Sequence, residues 1–192
     1  MTPPVAEREL LLTGIGGQGV QLCAQVIARA AVIEQKHVML FGVYAGAMRG
    51  MNTDATVVIG NGPLLSPPLI SHASSAIAMH DKFWPPLARK LRPGALVLLN
   101  GSTFETPLVD TDFQVVRVPA TDQAAELGHS MGGSMFMAGA YASVAEVVGL
   151  DALVGGMRES IPSYRTQHIE ANLGVLEAGY AWGSVHSAKE NS

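Results

Sequence analysis

The chain has 192 residues, of which 48% are hydrophobic and 15% are charged, and its formal net charge is −4. An average protein has about 25% charged residues, so this composition excludes disorder for most of the chain and supplies enough apolar side chains for a sizeable core. The length predicts one domain. The absence of a basic stripe gives no indication of nucleic acid or an anionic membrane as partner.

The chain contains a single cysteine, Cys23. This thiol cannot form an internal disulfide. Without a CxxC pair, the chain alone also cannot supply the ligands of a four-cysteine iron–sulfur cluster or a structural zinc site. Charged residues at positions 7–9 precede the first apolar run, which does not fit a signal peptide, and no run of about 18 apolar residues occurs. We therefore expect a cytoplasmic protein.

The first third of the chain alternates apolar runs with glycine-rich breaks. Residues 10–13 predict a first buried strand that ends at a glycine cluster, and residues 20–35 carry the three- and four-residue spacing of an amphipathic helix. A second strand is predicted over 37–41 and a third over 55–59. The glycine-rich residues 43–54 between them predict a long loop.

The remaining elements follow the same alternation. We predict that Arg92-Pro93-Gly94 forms a turn, that Thr121 begins a capped helix and that Asp151 is the N-cap of another helix. The polar residues from Ser184 onward are expected to fray. Strands are predicted at 75–79, 95–99 and 113–118, and helices at 81–91, 121–127, 135–148, 151–160 and 169–181.

This alternation predicts a single-domain α/β fold, with a mostly parallel sheet and helices on both faces. We divide the chain into an N-terminal extension (1–8), the domain itself (9–182) and a polar tail (183–192).

The glycine cluster Gly14-x-Gly16-x-x-Gly19 follows a predicted strand and opens a predicted helix, which is the context of a Rossmann-like nucleotide-binding loop. Glycine lets the backbone turn tightly and lets a ligand approach it. The amides of Gly17, Gln18 and Gly19 are predicted to be free of partners at a helix N-terminus, where the partial positive charge favours phosphate. The alternative is a structural role, in which the glycine turn only allows the helix and the strand to pack closely.

A nicotinamide or flavin site requires an acidic residue at the end of the second strand to hold the ribose. Here the strand ends at Phe41-Gly42-Val43-Tyr44, without an acid. A stand-alone nucleotide-binding oxidoreductase therefore remains an alternative with little support.

The string Gly14-Ile15-Gly16-Gly17-Gln18-Gly19-Val20 resembles the N-terminal signature of the gamma subunit of 2-oxoacid:ferredoxin oxidoreductases, the family of the pyruvate, 2-oxoglutarate and indolepyruvate enzymes. Arg49-Gly50 before an apolar strand, Arg92-Pro93-Gly94 before another, and Glu126-Leu127-Gly128 before a Met- and Ala-rich helix continue the resemblance over residues 9–182. The chain departs from the family at Tyr44–Met51, which lacks the acid and second glycine of Tyr-Gly-Pro-Glu-x-Arg-Gly-Gly, and Ser134 stands near a position that is often Asn.

The resemblance implies a non-catalytic gamma subunit that binds coenzyme A and supports assembly. Its complex would convert a 2-oxoacid to an acyl-CoA, with thiamine diphosphate, Mg²⁺ and 4Fe-4S clusters on partner subunits. The implied partners are alpha, beta and delta (ferredoxin-like) subunits and ferredoxin or another electron acceptor, with no nucleic acid, no membrane, no catalytic residue and no metal on this chain. A purely structural subunit is a further alternative. The implied cofactor-binding residues are Gly14, Ile15, Gly16, Gly17, Gln18, Gly19, Tyr44, Arg49 and Gly50.

Several side chains near these motifs could have either a ligand-binding or a structural role. Arg49 is suited to a phosphate by its planar fork, or forms an ion pair. Gln18 binds a ligand or caps its own helix, and Thr13 and Asn52 either line the site or satisfy turns. The methionines near the two loops, Met48, Met51, Met131, Met135 and Met137, belong either to the core or to an adaptable interface.

Overall fold

A computed structural model of the chain describes residues 7–44, 50–65, 70–108, 112–162 and 168–190, with only the backbone at 43–44 and 187–190. The described residues form six strands: β1 (Glu7–Ile15), β2 (His37–Tyr44), β3 (Asn52–Gly60), β4 (Ala73–Ala78), β5 (Leu91–Asn100) and β6 (Gln114–Val118). They also form six α-helices: α1 (Val20–Ile33), α2 (Trp84–Ala88), α3 (Ala120–Glu126), α4 (Gly133–Val144), α5 (Leu150–Ser160) and α6 (Ile169–Glu190).

All six strands belong to one sheet with the order β2-β3-β1-β4-β5-β6. Strands β1, β4, β5 and β6 run parallel, and β3 runs antiparallel to both of its neighbours, β1 and β2. The predicted single-domain α/β fold with a mostly parallel sheet is confirmed. The chain forms β2 and β3 on one side of β1 and then β4, β5 and β6 on the other, so the direction of winding reverses between β1 and β4.

The two faces of the sheet are covered unequally. Because side chains alternate along a strand, Leu10 and Leu12 of β1 face a thick layer made by α1, α3, α4, α5 and α6, whereas Leu11 faces the other side. That second face is covered by the short helix α2, whose Trp84 ring packs edge-to-face on Phe104 with 5.8 Å between centroids. Helices therefore lie on both faces, but the main core lies on the first.

Helix α4 is the centre of the thick layer. Every residue from Gly133 to Ser143 is buried, so the helix is surrounded by protein on all sides. Helix α6 packs so closely on α4 that the two backbones touch, and glycines of both helices line this contact. A Cβ on Gly179 would lie 2.8 Å from the carbonyl carbon of Phe136.

Several predicted boundaries were wrong, each for a local reason. The loop predicted over 43–54 is shorter, because β2 and β3 pair as far as Tyr44↔Thr53; residues 45–49 lie outside the described residues. The turn at Arg92–Gly94 lies inside β5 as an irregularity between the pairs Ala73↔Leu91 and Ser75↔Leu96, with Gly94 at φ 75°.

The helix ends also differ from the prediction. Helix α4 ends at Val144, and Glu146 beyond it has a left-handed φ of 51°. Helix α3 has no side-chain cap, and Asp151 lies in the first turn of α5 instead of at its N-cap. Helix α6 continues to Glu190, through the region that we expected to fray. No helix in the described ranges combines the length and apolar character needed to cross a bilayer.

Candidate functional site

The glycine loop joins the carboxyl end of β1 to the N-terminus of α1. Gly17 has φ 107° and Gly19, the N-cap residue of α1, has φ 75°, conformations that side chains other than glycine rarely adopt. Gly14 is needed for a different reason: a Cβ there would lie 2.7 Å from Val20 Cγ2 and 2.9 Å from Met79 Cβ. The loop is therefore fixed both by backbone conformation and by close packing.

The side chain of Gln18 fastens the loop to the rest of the sheet. The amide N–H of Ile15 donates to Gln18 Oε1 at 2.8 Å, and Gln18 Nε2 donates to the carbonyl of Met79, just beyond β4, at 3.2 Å. The sequence left open whether Gln18 binds a ligand or caps its own helix. In the structure its side chain does neither of these but bridges the ends of β1 and β4.

The loop leaves some of its amides free. Gln18 N–H donates to the Ile15 carbonyl at 3.0 Å and Gly16 N–H donates to the Met51 carbonyl at 2.8 Å, so the prediction of a free Gln18 amide was wrong. For the amides of Gly17, Gly19 and Val20, no carbonyl in the described ranges accepts a hydrogen bond. These three donors lie at the N-terminus of a 14-residue helix, which is a favourable position for an anion.

The glycine loop and the carboxyl ends of the neighbouring strands β4 and β5 together form one edge of the sheet, which we call the rim. Met79 N–H donates to the Thr13 carbonyl at 2.9 Å, and the Met79 carbonyl also accepts from Thr103 Oγ1 at 2.5 Å. The buried Asn100 at the end of β5 donates to Thr121 Oγ1 at 2.8 Å, in the first turn of α3. Ligands of open α/β sheets bind at this edge, where the winding reverses.

A carboxylate that follows β4 holds the loop after β5. Asp81 accepts from Thr106 Oγ1 at 2.7 Å and from Thr106 N–H at 3.1 Å. The Thr106 hydroxyl, with help from backbone donors and the neighbouring His80, lowers the pKa of Asp81 below its usual value. Asp81 therefore has a structural role, since its carboxylate holds the loop after β5 in place.

The side chains of Thr13 and Asn52 both donate hydrogen bonds to the carboxylate of Asp54. Thr13 Oγ1 donates to Asp54 Oδ1 at 2.7 Å, and Asn52 Nδ2 donates to Asp54 Oδ2 at 2.8 Å. This cluster ties the end of β1 to the start of β3. Sequence reasoning missed Asp54. The available signal was a polar run, 52–54, immediately before an apolar strand.

The residues immediately before β3 contact the glycine loop. Gly50 N–H donates to the Gly16 carbonyl at 3.4 Å, so two of the sequence-predicted site residues lie side by side. Tyr44 is the last residue of β2, with its backbone alone described, and Arg49 lies outside the described residues.

The strand order also bears on the nucleotide alternative. In a Rossmann fold the second strand lies parallel to and beside the first, where its terminal acid reaches the ribose. Here antiparallel β3 separates β1 from β2. The carboxylate that does lie beside the end of β1, Asp54 of β3, is already held by Thr13 and Asn52.

A second helix N-terminus reaches the loop, which sequence reasoning did not predict. A Cβ on Gly19 would clash with the hydroxyl of Ser134 and lie 2.8 Å from its Cβ. Ser134 belongs to the first turn of α4. The Gly132-Gly133 pair before it was the available signal for a close approach.

A depression with a volume of about 680 Å³ lies at the opposite, amino edge of the sheet. Arg8, Lys36 and Arg92 line it together with Glu146. Lys36 is already paired with Glu34 at 2.8 Å. The depression shares no residue with the glycine loop.

The sequence matches one family, described as "Pyruvate ferredoxin/flavodoxin oxidoreductase", over residues 9–182. It is 27% identical over 183 residues to ketoisovalerate oxidoreductase subunit VorA of Methanothermobacter marburgensis, covering 94% of this chain and 37% of that protein. The chain thus spans little more than a third of this relative. It is 23% identical to 2-oxoglutarate synthase subunit KorC of Methanocaldococcus jannaschii, covering 90% of this chain and 92% of that one.

Solved structures share the fold. The gamma subunit of keto/oxoacid ferredoxin oxidoreductase from Geobacter sulfurreducens superposes with a TM-score of 0.80 at 20% identity, covering 95% of this chain and 98% of that one. The 2-oxoglutarate:ferredoxin oxidoreductase of Magnetococcus marinus, solved with 2-oxoglutarate, coenzyme A and succinyl-CoA bound, superposes with a TM-score of 0.81 at 15% identity. That alignment covers 93% of this chain and 31% of the other.

Proposed function

The chain belongs to the pyruvate ferredoxin/flavodoxin oxidoreductase family, and from this we propose that it is the non-catalytic gamma subunit of a thiamine-diphosphate-dependent 2-oxoacid:acceptor oxidoreductase. The complex oxidatively decarboxylates a 2-oxoacid and releases the acyl group as a coenzyme A thioester. Thiamine diphosphate, Mg²⁺ and the 4Fe-4S clusters reside on alpha, beta and delta subunits, and ferredoxin or another acceptor takes the electrons. The complex works in the cytoplasm.

The contribution of this chain is to bind coenzyme A and to support assembly. The observation that carries the proposal is the glycine loop, where the amides of Gly17, Gly19 and Val20 are free of described acceptors at the N-terminus of α1. Such amides bind phosphate oxygens without needing a charged side chain. Coenzyme A presents a diphosphate that suits them.

The residues of the site divide into donors and supports. Gly17 and Gly19 donate their amides to a phosphate. Gly14 and Gln18 hold the loop against Met79. Ile15 accepts from the Gln18 amide and Gly16 accepts from the Gly50 amide, so these residues support the loop. The family resemblance implies that Arg49 is the cation of the site and that Tyr44 lines it.

Purification from the native source tests the subunit assignment. A tagged full-length chain is expected to bring down larger partner chains, with iron, acid-labile sulfide and thiamine diphosphate in the eluate. A monomer or homo-oligomer that contains none of these would overturn the assignment.

Kinetics of the complex test the ligand assignment. Arg49→Ala is expected to raise the KM for coenzyme A by about tenfold, the effect of one lost charge-assisted hydrogen bond, and to leave kcat unchanged. Arg89→Ala, which removes an exposed arginine after α2, is the matched control. An unchanged KM in Arg49→Ala would remove Arg49 from the site.

A further inference from the structure

The depression at the amino edge of the sheet is enclosed by two layers of the fold. Helix α4 ends at Val144, and the left-handed Glu146 (φ 51°) turns the chain beyond it. Residues 144–147 form one wall, and the first residues of β1, β4, β5 and β6 with the last of β3 form the rest. Its volume of about 680 Å³ lies within the range of about 300–1,000 Å³ that small-molecule sites occupy. The depression therefore has the size of a ligand site.

Two of the charged side chains that line the depression already have partners in the protein. The Lys36 ammonium lies 2.8 Å from the Glu34 carboxylate and donates to the Val147 carbonyl at 2.5 Å. The Glu7 carboxylate accepts a hydrogen bond from the Leu65 amide. These two charges are therefore used within the chain, and they join the ends of α1 and α4 and of β1 and β3.

Two arginines that line the depression have no such partner. Arg8 in β1 and Arg92 in β5 are exposed, and neither forms an ion pair or a side-chain hydrogen bond with any described residue. Because side chains alternate along a strand, Arg8 lies on the same sheet face as Leu10, towards α4. Burial raises the pKa of Tyr141 in α4 to about 12, and the charge of Arg8 opposes this rise. Both guanidinium groups are therefore available to a ligand in the depression.

The chemistry and spacing of these arginines specify the class of ligand. A guanidinium presents a planar fork of donors that matches the two oxygens of a carboxylate or phosphate. Strand β4 lies between β1 and β5, so the two arginines start from strands that are about 10 Å apart. One small molecule with two anionic groups can span that distance, whereas a neutral ligand would leave both charges unpaired.

We propose that the depression binds a small polyanion with at least two carboxylate or phosphate groups, which Arg8 and Arg92 bind from two sides. Glu146 in the facing wall opposes the ligand by its negative charge. The nine residues of β1 place this site roughly 25 Å from the glycine loop, at the other edge of the sheet. It is a second ligand site, and it does not rest on the proposed function.

Calorimetric titration of the full chain with citrate and with inorganic tripolyphosphate, in about 0.1 M salt, tests the proposal. Arg8→Gln and Arg92→Gln are each expected to weaken the binding of the preferred anion by about tenfold, because each removes a charge-assisted hydrogen bond. At this salt concentration charges are screened beyond about 10 Å, so an anion bound at the glycine loop does not respond to either substitution. Preference for citrate supports a carboxylate ligand, and preference for tripolyphosphate supports a phosphate ligand.

Two further variants control for overall charge. Arg89→Gln removes an exposed arginine outside the depression and is expected to bind as the wild type does. Glu146→Gln is expected to bind the anion more tightly than the wild type, because it removes the opposing carboxylate.

Three results would overturn the site. They are a wild-type chain that binds neither anion, wild-type affinity in both Arg8→Gln and Arg92→Gln, and an equal loss of affinity in Arg89→Gln. Each of these results leaves the assignment of coenzyme A to the glycine loop intact, because that site lies at the opposite edge of the sheet.

Discussion

At the scale of single residues, the glycines of the loop are needed for two different physical reasons. Gly17 has a left-handed φ and open space around it, whereas Gly14 is surrounded by Val20, Gln18 and Met79. Gly19 combines both constraints, because its φ is 75° and Ser134 fills the place of a side chain. A ligand can therefore approach the loop at Gly17 but not at Gly14.

Gln18 is predicted to be a stability residue of the loop. Gln18→Ala would leave the Ile15 N–H without its acceptor, and a partly buried donor without a partner costs about 1–3 kcal/mol. We expect a loss of about 1–2 kcal/mol in the free energy of unfolding, measured by urea denaturation. Gln25→Ala, in the following helix α1, is the control and should stay within about 0.5 kcal/mol of the wild type. Equal stabilities for the two variants would show that Gln18 does not fasten the loop.

The single thiol is predicted to be inert in the folded chain. Burial raises the pKa of Cys23 to about 12, so the thiol stays protonated between pH 7 and 9, and only the thiolate reacts. At pH 8 we expect iodoacetamide to modify the native chain roughly a thousandfold more slowly than the urea-unfolded chain, given an ordinary thiol pKa of about 8.5. Because the chain has one cysteine, mass spectrometry reads the result directly. Comparable native and unfolded rates would contradict the burial of Cys23.

At the scale of elements, the contact between α4 and α6 depends on glycines. Gly139 of α4 faces the backbone of α6, where a Cβ would lie 2.6 Å from the Tyr180 nitrogen. Gly183 of α6 faces α4, where a Cβ would lie 2.8 Å from the Ala140 carbonyl oxygen. This close packing holds α4 in the middle of the core and so fixes the direction in which its N-terminus reaches Gly19.

Two glycines of α6 are predicted to respond in opposite directions to alanine. A Cβ on Gly179 would overlap the carbonyl of Phe136, whereas Gly174 has nothing within 4 Å. Gly179→Ala is expected to lower the free energy of unfolding by about 2–3 kcal/mol through overpacking. Gly174→Ala is expected to raise it by about 0.5–1 kcal/mol through helix propensity. Thermal unfolding measures both, and a stabilised Gly179→Ala would contradict the contact between the helices.

Most elements could be predicted from the sequence because their signals are local. The run 10–13 and the glycines after it specify β1 and the loop, and the period of 20–35 specifies α1. The pairing of β3 between β1 and β2 could not be predicted, because an apolar run such as 55–59 does not encode strand direction. The contact of Ser134 with Gly19 joins residues 115 positions apart, which no local pattern specifies, and the bonds of Gln18 to Met79 depend on the same tertiary arrangement.

At the scale of the whole molecule, apolar side chains remain exposed around the candidate site. Met51, next to the glycine loop, is 46% exposed and Met131, just before α4, is 72% exposed, while Met135 and Met137 are core residues. Met135 and Met137 therefore belong to the core, an adaptable interface stays a prediction for Met51 and Met131, and Met48 lies outside the described residues. Exposed apolar side chains beside a candidate site are typical of a surface that contacts another molecule.

Ligand-dependent stability of the whole chain is predicted to separate coenzyme A from a nicotinamide nucleotide. A ligand that binds only the folded state, at about 100 times its Kd, raises the free energy of unfolding by about 2.7 kcal/mol, which is roughly 5–10 °C in Tm for a chain of this length. Both ligands carry a diphosphate for the glycine loop. The strand beside β1, however, is the antiparallel β3, and its carboxylate at this edge, Asp54, already accepts hydrogen bonds from Thr13 and Asn52, so the ribose of NADH lacks a free acid there. We therefore expect a larger increase in Tm with coenzyme A than with NADH at equal concentration. A larger increase with NADH would contradict the proposed function and favour a stand-alone nucleotide-binding oxidoreductase.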